Sequence, residues 1–140
     1  MFTQTQTEQI VCASVLTDPH GKLGPNLCTA LAYAPGSWDS PEAAKVAEGI
    51  VKCIKKGLVP KPETVALNLE PQYKHWVKHK IFTEGLPLSV ADFEAQGLLK
   101  HYWNKRLINV VASSYEQMMR KPECARDLAA ALKVTLEEFV

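Results

Sequence analysis

The sequence predicts an all-α protein, a compact irregular bundle of about six or seven helices around one long central helix. Three observations carry that prediction. Proline and capping residues cut the chain into helix-length segments. Within those segments apolar residues recur three and four positions apart. One segment, residues 90–119, is apolar around much of its girth, as a helix packed by several others would be.

The elements follow in chain order. Residues 8–16 are apolar and read as a short helix with Thr5-x-x-Glu8 as a capping box. Ile10, Val11, Val15 and Leu16 would equally suit a strand, and Asp18-Pro19-His20-Gly21 is a turn that also joins strands. The helical character of the remaining chain favours helix. Residues 25–33 form a second short helix, ending before Pro35-Gly36. Ser40-Pro41-Glu42 is a strong helix start: a cap, a first-turn proline and an acid that complements the dipole. Ala43, Val46, Ala47, Ile50 and Ile54 then repeat at helical spacing until Lys55, Lys56 and Gly57 end the helix. Pro60 and Pro62 introduce a short helix over 63–69, and Pro71 opens another that runs toward Gly85. In it, Tyr73, Trp76, Val77 and Ile81 share a face. Ser89-x-x-Asp92 reads as a capping box for the long helix, whose weak points are Gly97 and Asn104. Pro122 restarts the chain into a helix over 123–133, and Thr135-x-x-Glu138 caps a final turn. The connectors are short and no repeat interrupts them, so residues 1–140 read as a single helical domain.

Composition sets the class. With 46% hydrophobic and 22% charged residues, extended disorder is excluded for the bulk of the chain. Sixteen Lys and Arg against fifteen Asp and Glu argue against a histone-like binder. The distribution is uneven, however: residues 45–106 carry eleven bases against six acids, between two mildly acidic ends. No apolar run reaches the roughly 18 residues of a membrane span, and the N-terminus lacks the pattern of a secretory signal. Cys12, Cys28, Cys53 and Cys124 form no Cys-x-x-Cys pair and sit among apolar neighbours. They read as buried free thiols of a reducing compartment, hence a cytoplasmic protein with no cofactor.

Two clusters stand out as binding candidates. Tyr73-Lys74-His75-Trp76-Val77-Lys78-His79-Lys80 places Lys74, His75, Lys78 and His79 on one cationic helical face. Lys100-His101-Tyr102-Trp103-Asn104-Lys105-Arg106 forms a second cluster, on the long helix. Neighbouring helices would merge Lys74, His75, Lys78, His79, Lys100, His101, Lys105 and Arg106 into one basic-aromatic surface. Such a surface suits an acidic protein partner or the phosphates of a nucleic acid. Trp76 and Trp103 themselves are expected in the core. His75 and His79, four apart, could chelate a metal only with a third ligand, so no metal site is assigned.

Catalytic signatures are absent as patterns. Gly21-Lys22-Leu23 lacks the upstream glycine and the Ser/Thr of a phosphate-binding loop. There is no G-x-G-x-x-G, G-x-S-x-G or kinase signature. Cys12 or Cys28 with His20 would make a Cys–His pair, but a packed cysteine explains each thiol better. Glu137 and Glu138 project at different angles and suit acid–base work poorly.

Residues 120–139, with Lys121-Pro122 followed by Leu128-Ala129, Leu132, Val134 and Glu138, resemble the closing helices of lambda-repressor-like helix-turn-helix domains. The DNA-reading part of that family lies upstream, where this chain has one long apolar segment over 98–119, so no DNA-reading residue is carried over. Any capped Ala/Leu-rich helix pair looks similar, and the stretch is read instead as a terminal helical hairpin packed on the core. The expected function is that of a small soluble non-enzymatic binding or regulatory protein that recognises a protein partner. The alternatives are nucleic-acid binding through residues 74–80 and 100–106, and a small metal-assisted enzyme. No membrane association is expected.

Overall fold

The computed structural model describes residues 2–33, 36–78 and 85–139, with the side chains of Trp76 and Lys78 left aside. Among them all regular structure is helical, as the sequence predicts. The helices are α1 (Gln4–Thr17), α2 (Pro25–Ala32), α3 (Pro41–Lys55), α4 (Pro62–Ala66), α5 (Pro71–Lys78), α6 (Leu88–Arg120) and α7 (Ala125–Glu137), with a 3-10 turn, Pro122–Cys124, before the last. They divide into two compact units, Met1–Leu99 and Lys100–Val140, and α6 runs through the boundary.

In the first unit α3 is the hub, touching α1, α2, α4 and α5. Its limits follow from local chemistry. Ser40 Oγ accepts from Ala43 N at 3.2 Å, Pro41 starts the first turn, and Gly57 takes φ 72° just past the end. Val46, Ala47, Ile50 and Cys53 of α3 are buried together with Val11, Cys12 and Val15 of α1, Leu27 and Leu31 of α2, and Val65. Ala91, Ala95 and Leu98 of α6 complete this core. Burying each of the larger aliphatic side chains contributes about 1.5–3 kcal/mol.

Two helix N-termini in this unit are capped by carboxylates from distant helices. Glu8 on α1 has 0% exposure; its Oε1 accepts from Ser40 N at 2.8 Å and its Oε2 from Asp39 N at 2.9 Å. The orphan donors ahead of α3 are thus satisfied across the core. Asp92 on α6 does the same for α2, its Oδ1 accepting from Leu27 N at 3.0 Å. α2 has Gly24 at its cap position and no side-chain cap of its own. Both carboxylates therefore differ from the sequence expectation, which gave each a role in its own helix. The cap of α1 is Thr3, whose hydroxyl accepts from Gln6 N while the Gln6 side chain accepts from Thr3 N. Likewise Thr135 lies inside α7 and donates back to Ala131 O at 3.1 Å, so no separate final turn begins there.

Residues 85 and 86 cross α1 at close range. Leu86 N donates to the buried Ser14 Oγ at 2.9 Å, and a Cβ on Gly85 would come 2.9 Å from Ala13 O. Only glycine lets backbone approach backbone so closely here.

The second unit consists of the distal part of α6, the 3-10 turn and α7. Leu107, Val110 and Met118 on α6 and Leu128, Leu132 and Leu136 on α7 are half-buried. The helix passes Gly97 and Asn104 unbroken. It is also continuous over 98–119, where a helix-turn-helix domain would turn, so the likeness of residues 120–139 to that family extends no further upstream. No helix among the described residues is long and apolar enough to cross a membrane.

Candidate functional site

The sequence-selected basic residues fall into two groups. Lys74, half-buried, and His75, exposed, lie on α5 of the first unit. Lys78 closes α5, its side chain outside the description, and His79 lies outside the described residues altogether. Lys100, Lys105 and Arg106 are exposed and His101 is half-buried, all on α6 in the second unit. Among the described residues no three His, Cys, Asp or Glu side chains converge as a metal site would require.

The second group has a defined geometry. Trp103 keeps 41% exposure and meets Phe139 edge-on, ring centroids 5.3 Å apart at 89°. The guanidinium carbon of Arg106 lies 5.6 Å from the Trp103 centroid and 5.8 Å from that of Phe139. Each contact of a cation with an aromatic ring contributes about 0.5–1 kcal/mol at an exposed position. Together they hold the Arg106 charge in one place on the surface instead of letting it sweep freely. Tyr102, one residue earlier, points the other way and is buried. The expected core position of Trp103 is thus corrected: the helix turns Tyr102 inward, and Trp103, about 100° further round, reaches the rim. In the sequence Phe139 is visible only as an apolar member of the final turn, with Leu136.

Further along α6, Ile108 (66% exposed), Val111, Tyr115 (65%) and Met119 (64%) face water, as does Val134 on α7. The sequence assigned these α6 residues to the apolar girth of a packed helix. Within this unit the helix buries one stripe of that girth and exposes another. α7 also carries a shallow apolar depression of about 340 Å³ lined by Ala129, Leu132 and Leu136.

The four thiols sit in different surroundings. Cys12 is fully buried, its Sγ donates to Ala43 O at 3.5 Å, and burial, with the nearby Glu8 charge, pushes its pKa well up. Burial also raises the Cys53 thiol, against the opposing effects of the Asn68 hydrogen bond and the Lys56 charge. Cys28 is exposed, contrary to the core position read from its apolar neighbours, because α2 turns Leu27, Ala30 and Leu31 inward and leaves Cys28 outside that face. Cys124 is half-buried. Burial raises the pKa of Glu8 as well, opposed by the two backbone N–H groups of Asp39 and Ser40 and by Gln4. That carboxyl is sealed in the core as a cap. A cavity of about 420 Å³ beside Phe2, Gln4, Thr7, Glu94, Gly97 and Leu98 has Glu94 as the one titratable side chain among the described residues of its lining. One carboxylate alone supplies no acid–base pair. No model of a known protein family matches the chain, and no curated protein matches it.

Proposed function

We propose that this protein is a non-enzymatic recognition protein whose target is an acidic protein surface, engaged through Lys100, Trp103 and Arg106, which share one side of α6. The observation that carries this reading is the placement of Arg106 against Trp103 and Phe139 on exposed surface. Arg and Trp are the residue types that most often dominate protein–protein binding energy, and a pre-ordered guanidinium loses less entropy when it meets a carboxylate. The same bases would neutralise phosphates. The unit Lys100–Val140, however, carries seven bases against five acids, a mixed balance unlike the one-sign field that nucleic-acid binders use.

The reading is tested by isolating the stoichiometric partner from cells that express the protein and comparing wild type with Arg106→Ala and Trp103→Ala. Either substitution is expected to weaken retention of the partner at least about tenfold. Undiminished retention by both variants refutes the assigned face. Steeply salt-dependent capture of a 20-nucleotide single strand or duplex that needs Lys105 and Arg106 would replace the protein target with a nucleic acid.

A further inference from the structure

We propose that the protein self-associates through the distal half of α6, as a two-fold symmetric antiparallel helix pair. This inference is independent of the partner-binding face: Arg106 lies roughly 150° around the helix from the stripe used here.

Ile108, Ala112, Tyr115 and Met119 are all exposed and follow each other at spacings of four, three and four. That is the alternation of d and a positions in a heptad, with Val111 on its flank. The large side chains of the stripe leave about 500 Å² of mostly apolar surface in water, at the upper end of the largest patch on a typical monomer. Two such stripes pressed together remove on the order of 1,000 Å², the area a specific interface must clear. The unit bearing the stripe is Lys100–Val140, and Tyr102 is its one buried large side chain among the described residues. A unit of about 40 residues with so little interior commonly depends on association to complete its core.

The identity of the residues points to a second copy and sets the direction of pairing. With the two-fold axis between positions 113 and 114, Ile108 meets the partner's Met119, and Ala112 meets the partner's Tyr115. Each large residue thereby finds either a flexible one or a gap of matching size, as an isologous contact requires. Parallel pairing in register would set Tyr115 against the partner's Tyr115 and leave a hole between the two Ala112 side chains. It would also bring Lys105, three residues before Ile108 on the same side of the helix, toward its copy in the partner, a repulsion that the antiparallel arrangement avoids.

Sedimentation equilibrium of the full chain between about 1 and 100 μM tests the proposal. The expected mass rises from one chain to two across that range. Ile108→Glu and Met119→Lys each bury an unpaired charge in the pair and are expected to weaken association at least about tenfold. Both positions are exposed, so the far-ultraviolet circular dichroism of each variant should match wild type, which separates lost pairing from lost folding. The double variant Ile108→Glu/Met119→Lys places opposite charges across the two-fold axis and is expected to dimerise more tightly than either single variant. A single-chain mass at every concentration overturns the proposal. So does a dimer that both single variants leave intact, or a double variant no tighter than the singles.

Discussion

Replacing Glu8 by alanine removes two backbone hydrogen bonds at once, those from Asp39 N and Ser40 N. A donor left without a partner in the core costs about 1–3 kcal/mol. Ser40 is buried and has no route to water, whereas Asp39 is exposed and its N–H is better placed to recover a solvent partner. Removing the carboxylate also relieves its own desolvation. The net loss is therefore about 2–4 kcal/mol, read as a lower urea midpoint at unchanged m-value. The pH dependence gives a second readout. Burial raises the pKa of Glu8 in the folded protein above its ordinary 4.5. A carboxyl shifted upward contributes stability that is complete below the unfolded value and is lost as pH rises through the folded value. Wild type should thus lose stability relative to Glu8→Gln as pH climbs above 4.5, until the carboxyl is fully ionised. If Glu8→Ala costs less than about 0.5 kcal/mol, or the two pH profiles run parallel, the reading of Glu8 as the buried cap of α3 is wrong.

Asp92→Ala should cost about 1 kcal/mol by uncapping α2, whereas Asp92→Asn, which keeps an acceptor for Leu27 N, should recover most of it; equal losses would contradict the capping role. Gly85→Ala should destabilise by about 1–3 kcal/mol, because the new Cβ meets the backbone of Ala13 and Ser14, and a neutral result in urea unfolding would show that the crossing is looser than described. A thiol reagent added to the native chain should modify Cys28 first and reach Cys12 and Cys53 only on unfolding; fast modification of Cys12 would refute its burial.

What could be read from sequence was whatever is decided locally. α3 was legible at both ends because Ser40-Pro41 and Gly57 act within one turn of their own positions. The start of α1 was not. Thr3-x-x-Gln6 and Thr5-x-x-Glu8 both fit a capping box, and the choice between them depends on the backbone at 39 and 40, which claims Glu8 for α3. Asp92 likewise was drawn away from its own helix by the uncapped start of α2, 65 residues earlier. The basic cluster on α6 was visible as composition. Its ordering was not, because Phe139 joins Trp103 and Arg106 only through folding. The apolar periodicity of α6 was read correctly as helical, but periodicity does not say whether a stripe meets protein or water. Ile108, Tyr115 and Met119 have the same spacing as a packed face and lie exposed.

The central claim is that the Trp103–Arg106–Phe139 surface recognises an acidic protein. Calorimetric titration of the full chain with its purified partner, repeated with Arg106→Lys, tests it most directly. Lysine keeps the charge but cannot reproduce the planar guanidinium on two rings. The expected result is a clear loss of affinity for Arg106→Lys, with the partner's acidic residues needed for the wild-type affinity. Identical isotherms for wild type and Arg106→Lys would contradict it.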